Sequence, residues 1–237
     1  MPDLAAIVRP PPSVVLRHEH HDTLDPNEPA DLVGITCNTP IARHVYALAD
    51  AFRARGRIVV LGGPHATLLP EEPKAHAVAV VVGEAEETWP RLLDDAARGS
   101  LAPSYRSAGA PARAGLPHAR RDRVHRRNLL ANTLVAPCGC PHRCSDCDRR
   151  QTCDAWIRDR PVEEVAAEVR TSRTPCFTFW DEQLFMHPRY ALRLFAGLEG
   201  AAKRWAAMVT LASAMNGRGD GVRTRDIQPG KPEAVRR

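Results

Sequence analysis

Apolar residues in this chain fall into short dense runs separated by amphipathic stretches, the rhythm of alternating strands and helices. Leu32-Val33-Gly34-Ile35-Thr36-Cys37, Ile58-Val59-Val60-Leu61 and Val78-Ala79-Val80-Val81-Val82 each read as buried parallel strands. Between the first two, Ile41, Val45, Leu48, Ala49 and Phe52 recur at helical spacing. Thr39 is the expected N-cap there, Pro40 suits the first helical position, and Gly56 is a natural stop. After the third strand, Thr88 is expected to cap a helix with Trp89 and Pro90 in its first turn, Leu92 and Leu93 inside, and Gly99 at its end. Upstream, Leu4 to Val8 is apolar but too short for a helix that stands alone. Val14-Val15-Leu16 reads as a strand, and His18 and His20 then share one face of an extended, solvated segment.

Residues 100–127 are rich in Pro, Ala, Gly and Arg with little periodicity and read as a linker. Asn128 to Val135 is the next expected strand. Pro161 opens a helix whose Val162, Val165, Ala166 and Val169 share a face. Cys176 to Trp180 is a strand ending in Asp181 and Glu182, and His187-Pro188 begins a helix with Leu192, Phe195 and Leu198 inside. Trp205 to Leu211 is the last expected strand, and from Asn216 the apolar pattern stops, so Gly217 to Arg237 reads as a disordered tail. The expected fold class is α/β: a Rossmann-like parallel-sheet domain over 1–100, a linker over 101–127, a partial (β/α) barrel of TIM type over 128–215, and the tail. Ligands of parallel sheets bind beyond the carboxyl ends of the strands. Thr36, Asn38, Thr39, Gly62, Gly63, Gly83 and Glu84 fall there.

Composition narrows the partners. The 237 residues suit one large domain or two small ones, and a hydrophobic content of 43% is enough for a core. No run approaches ~18 apolar residues, so no membrane span is expected. The net charge of +5 comes with Arg spread throughout. Its one dense basic cluster, Arg120 to Arg127, has no interleaved aromatic residues and reads as a solvated linker rather than a nucleic-acid footprint. Seven Cys are too sparse for a disulfide-stapled scaffold, and reduced thiols imply the cytoplasm.

Three of those thiols, Cys140, Cys144 and Cys147, lie on one short loop at spacings of four and three residues. Such a spacing can aim three sulfurs at one inorganic cluster and leave a fourth metal corner uncovered. Zinc is the competing reading, with Cys138 or Cys153 as a fourth ligand, although no second knuckle follows. The run Ala136-Pro137-Cys138-Gly139-Cys140-Pro141-His142-Arg143-Cys144 resembles the CxxxCxxC cluster loop of the radical S-adenosylmethionine enzymes. The resemblance implies a [4Fe-4S] cluster on Cys140, Cys144 and Cys147, with the fourth iron left for S-adenosylmethionine, and reductive cleavage of that cofactor to a deoxyadenosyl radical. It also implies that Asp181 or Glu182 contacts the S-adenosylmethionine amino group, and that a small electron-donor protein such as flavodoxin or ferredoxin serves the cluster.

The first half is similar to the cobalamin-binding domain that precedes many such modules. The matching pieces are Asp31 to Thr36, Leu61-Gly62-Gly63-Pro64-His65-Ala66-Thr67, and Val81 to Glu86. Carried over, Thr36, Gly62 and Gly63 line the slot for the cobalamin nucleotide tail, and Gly83 ends the neighbouring strand. The joint resemblance implies methyl transfer or other radical chemistry on a small-molecule substrate that the residues do not define. Set against the family, the chain is expected to lack the first strand of the cobalamin domain, the segment where a DxHxxG motif would fall, and about half of the barrel. That shortening predicts weak or absent cobalamin binding and slow or no turnover. A catalytically inactive fragment, and a non-enzymatic zinc or iron–sulfur module, are the two other readings.

Overall fold

A computed structural model describes residues 2–7, 13–124, 132–142, 144–145, 147–152, 156–182 and 184–207. The chain divides into two compact units. The first comprises Met1–Pro111, Pro117–His125 and Cys144–Asp154; the second comprises Ala112–Leu116, Arg126–Arg143 and Ala155–Arg237. The units are therefore interleaved along the sequence.

The first unit is built on a four-stranded sheet in the order β1 (Leu32–Thr36), β2 (Ile58–Gly62), β3 (Ala79–Val82), β4 (Ser104–Arg106), every neighbouring pair parallel. Successive side chains of a strand point to opposite faces, so the unbroken apolar runs feed two cores at once. Val59, Leu61, Val80 and Val82 pack on one face with Val45, Ala49 and Phe52 of α2 (Ala42–Arg53) and Ala66 of α3 (Pro64–Leu68). Val60, Ala79 and Val81 pack on the other with Trp89, Leu92 and Leu93 of α4 (Thr88–Ala97). The short α1 (Pro2–Ile7) sits beside α4 and buries Ala5.

Several expectations shift. Thr39 and Pro40 form a 3-10 turn over Thr39–Ile41 with Asn38 at its cap, so α2 begins only at Ala42 and Ile41 is exposed. Glu87, not Thr88, occupies the cap of α4, and the Thr88 hydroxyl donates back to the Ala85 carbonyl at 3.5 Å. Ser13–Leu16 is irregular backbone with Val15 57% exposed, because among the described residues no neighbouring strand pairs with it. His18 is not extended either. His21 and Asp22 donate their amides to the His18 carbonyl at 2.8 and 2.9 Å, and the His18 amide donates to Asp22 Oδ2 at 2.6 Å. The segment expected as linker contributes β4, anchored by Tyr105, which is 1% exposed; its hydroxyl donates to Asp95 Oδ2 at 2.8 Å and accepts from the Ala102 amide at 3.1 Å.

The second unit carries a parallel sheet in the order β5 (Thr133–Leu134), β8 (Cys176–Phe179), β9 (Arg204–Ala207), and an antiparallel pair of β6 (Pro137–Cys138) with β7 (Arg158–Asp159). Helices α6 (Val162–Thr171) and α7 (Pro188–Gly197) link the parallel strands, giving the strand–helix–strand repeat of a partial barrel. The short α5 (Arg149–Thr152) belongs to the first unit. Val162, Val165 and Val169 meet Tyr190, Leu194 and Phe195 beneath Phe177 and Phe179 of β8. Leu192, expected inside α7, is exposed; Leu194 takes its place. Phe195 stacks on Trp205 at 4.4 Å and meets Phe179 edge-on at 6.3 Å. A buried ion pair, Arg160 Nη1 to Glu168 Oε2 at 2.5 Å, ties the segment before α6 to its second turn, and Arg160 also reaches the Leu116 carbonyl. The expected strand residues 128–131 and 208–211, and the expected disordered tail, lie outside the described residues.

Candidate functional site

The carboxyl ends of β1, β2 and β3 converge, as the pattern predicted. Thr36 and Gly62 are register partners across β1 and β2. Gly63 follows at φ +96°, and a Cβ there would lie 2.5 Å from Thr36 Oγ1 and 3.0 Å from both the amide nitrogen and the carbonyl oxygen of Cys37. Only glycine lets the backbone pass this close. Thr67 joins the next strand end: its hydroxyl donates to the Gly63 carbonyl and accepts from the Gly83 amide, both at 3.0 Å. Gly83 has φ +85°, with a Cβ position 3.2 Å from Ser107 Cβ. Thr36 is exposed while Gly62, Gly63 and Gly83 are half-buried, so these ends form a shallow, small-residue rim.

Beside that rim lies a polar network that the sequence pattern did not single out. His65 is 3% exposed. Its Nδ1 lies 3.1 Å from Thr39 Oγ1, and its Nε2 lies 2.9 Å from the Tyr46 hydroxyl and 3.3 Å from Glu72. The His65 amide donates to the Cys37 carbonyl at 3.0 Å, and the Cys37 amide donates to the Gly62 carbonyl at 2.8 Å. These bonds lock the loop after β1 to the loop after β2. Burial pushes the Tyr46 hydroxyl up to about 12, with nearby Cys37 and Glu72 adding to it, and burial followed by Glu72 raises the Cys37 thiol. Cys37 is therefore an inert packing thiol. His65 sits inside the Gly62-Gly63-Pro64-His65 run, and that adjacency was the available signal.

The cysteine loop follows β6. Cys138 is buried in β6, with Arg158 Nη2 donating towards its sulfur at 3.6 Å. Cys140 is half-buried; Cys144 and Cys147 are exposed, and the Cys147 amide donates to the Cys144 carbonyl at 3.4 Å. The boundary between the compact units falls within this loop, with Cys140 counted in the second and Cys144 and Cys147 in the first. All six described cysteines are free thiols, and Cys153 lies outside the described residues. Among the described residues no three His, Cys, Asp or Glu side chains converge on one point. As a donor set, three unpaired thiols of which two face solvent suit a soft metal or an iron–sulfur cluster.

Asp181 and Glu182, expected at the ligand, turn towards the backbone that leads into this loop. Asp181 Oδ1 accepts from the Ala136 amide at 2.7 Å, and Glu182 Oε2 accepts from the Gly139 amide at 3.3 Å. Asp181 is 1% exposed, and its Oδ2 is buried without a partner among the described residues. Burial dominates and pushes its carboxyl up to about 7, against the lowering effects of the Ala136 amide, its own amide and Arg113. An acid whose folded value lies above its unfolded one contributes stability below the unfolded value and loses it as pH rises through the folded one. Stability should fall between about pH 4 and about pH 7, by at most about 1.4 kcal/mol per pH unit. Thermal melts at pH 5 and pH 8 check this. Asp181→Asn should flatten the dependence, and an unchanged slope in that variant would contradict it.

Comparison with known proteins follows the same division. The B12 binding domain family matches residues 26–93, which hold β1, β2, β3 and their strand ends. Two methyltransferases of Chlorobaculum tepidum are relatives. Bacteriochlorophyllide d C-8(2)-methyltransferase is 40% identical over 152 residues, 61% of this chain and 34% of its own length. Bacteriochlorophyllide d C-12(1)-methyltransferase is 28% identical over 198 residues, 76% and 42%. A solved structure of the radical S-adenosylmethionine methyltransferase TsrM from Kitasatospora setae, with cobalamin and [4Fe-4S] cluster bound, superposes with a TM-score of 0.53. The match covers 72% of this chain and 41% of the TsrM chain at 16% identity, a likeness of fold. Over these stretches the chain resembles a B12 binding domain and parts of two methyltransferases. It spans between about a third and two fifths of the length of these relatives. The rim of Thr36, Gly62, Gly63 and Gly83 and the His65 network all lie within the matched residues. No helix among the described residues is long and apolar enough to cross a membrane.

Proposed function

We propose that this chain supplies the cobalamin-binding sheet and the cluster-binding loop of a radical S-adenosylmethionine methyltransferase acting on a carbon of a small molecule. The observation that carries the reading is the pairing in one chain of a B12-type strand-end rim, closed at Gly63, with a downstream loop bearing Cys140, Cys144 and Cys147. The curated relatives are named for methylation of bacteriochlorophyllide d, so a chlorophyll-type macrocycle is the first substrate class to test.

The residues divide the work. Gly62 and Gly63 leave the backbone open to a bulky ligand, and Thr36 offers an exposed hydroxyl at the same rim. Thr67 and His65 hold the three strand ends in register. Cys140, Cys144 and Cys147 are the thiolates that would hold a [4Fe-4S] cluster, which when bound supplies one-electron reduction of S-adenosylmethionine. Exposure of Cys144 and Cys147 keeps that side of the loop accessible to a small electron-donor protein of the flavodoxin or ferredoxin kind.

Anaerobic reconstitution, followed by iron, sulfide and zinc analysis and by dialysis against hydroxocobalamin, tests the reading. It predicts iron and sulfide in cluster ratio and, because the B12-type match includes all three strand ends of the rim, cobalamin retained at micromolar concentration or below, in place of the weak or absent binding expected from the sequence. Stoichiometric zinc in place of iron, or no retained cobalamin, overturns it.

A further inference from the structure

The backbone between β5 and the cysteine loop is held by two adjacent carboxylates rather than by a ladder of its own. Strand β6 has only two residues, too few to fix its position through pairing with β7. Ala136, just before it, is buried and fully paired: its carbonyl accepts from the Arg160 amide at 3.0 Å, and its amide donates to Asp181 Oδ1 at 2.7 Å. Gly139, just after it, turns at φ +108° and donates its amide to Glu182 Oε2 at 3.3 Å. The next residue is Cys140. Asp181 is itself fixed, because the Trp180 amide donates to the Leu134 carbonyl at 2.8 Å and carries the β5–β8 pairing up to it. A continuous set of bonds thus runs from the sheet, through Asp181 and Glu182, to the residue before the first thiol.

We infer that Asp181 and Glu182 are positioning residues that clamp the backbone of Ala136–Gly139 to the end of β8 and so set the approach of Cys140 to the cluster. This rests on the proposed role of Cys140. It places the Asp181 carboxylate behind the loop, where its nearer oxygen is already engaged by a backbone amide. Loss of a hydrogen bond to an otherwise buried amide is costly, because it leaves that donor without a partner. With β6 so short, the loss should be felt locally, as opening of Ala136–Gly139.

Cys138 reports this opening without any cluster, since it lies between the two clamped amides and is buried. The experiment uses the full chain, reduced and without metal, treated with N-ethylmaleimide. Modification is followed at each cysteine by peptide mass mapping. Asp181→Ala should speed modification of Cys138 by roughly tenfold or more, while Cys176 on β8 keeps its rate. Asp181→Asn retains a carbonyl acceptor for the Ala136 amide and should restore protection. After anaerobic reconstitution, Asp181→Ala should bind iron several-fold less tightly than Asp181→Asn. If Cys176 accelerates together with Cys138, the unit has unfolded, and Glu182→Ala decides by the same two readouts, since its side chain is only half-buried. Wild-type protection of Cys138 in the Ala variants overturns the clamp. Faster Cys138 modification with undiminished iron affinity overturns the link to Cys140. An unaltered chain that takes up no iron refutes the proposed function and this link together, and Cys138 still reports separately on the clamp.

Discussion

A Cys144→Ala chain, reconstituted under anaerobic conditions, will fail to take up the iron–sulfur cluster proposed for the unaltered chain while keeping its fold. A cluster held by three thiolates has no spare protein ligand, so removing one leaves two of its irons without protein sulfur. Cys144 is exposed, and its removal takes nothing from any of the three cores. Cys138 is poorly placed to substitute, because it is buried in β6 beside Arg158 and would have to leave the β6–β7 pair. Visible absorption and iron content should both collapse, with the far-ultraviolet circular dichroism unchanged. A variant that keeps full iron content would remove Cys144 from the ligand set, and with it the three-cysteine reading.

Gly63→Ala should destabilise the first unit by about 3 kcal/mol or more. The backbone there has φ +96° and ψ −175°, a region open essentially to glycine alone. The added methyl would meet Thr36 Oγ1 at 2.5 Å and two backbone atoms of Cys37 at 3.0 Å. Those atoms cannot give way cheaply. The Cys37 amide is bonded to the Gly62 carbonyl and the Cys37 carbonyl to the His65 amide. Gly99→Ala is the control: it also has positive φ, but a Cβ there has open space within 4 Å, so its cost should be about 1 kcal/mol. Urea melts of the two variants should differ clearly. Equal losses would mean that the contact at Gly63 relaxes.

The strands that read most clearly were those buried on both faces. β2 and β3 supply side chains to two cores, so every position is apolar and no other element fits. Helix α6 was equally plain, since Pro161 marks its start and all four of its predicted apolar positions are buried. β4 was missed because it is three residues long and buries only Tyr105, and its neighbours Ser104 and Arg106 look like loop. Val14-Val15-Leu16 shows the opposite error, since β-branched residues without a partner strand stay irregular. At the candidate site, the placing of Gly62, Gly63 and Gly83 at strand ends was legible because residue type carries its signal. The contacts made by His65, Asp181 and Glu182 were not, because they join residues 26, 45 and 43 positions apart in the chain.

The interleaving of the two units constrains how the protein is made. When Pro111 leaves the ribosome the parallel sheet of the first unit is complete, but that unit still awaits 117–125 and 144–154. Before each of those pieces the nascent chain must deliver a segment to the second unit, first Ala112–Leu116 and then Arg126–Arg143. Folding during synthesis therefore cannot finish one unit before the other has begun. For the same reason, no single protease cut releases either unit with all of its own segments.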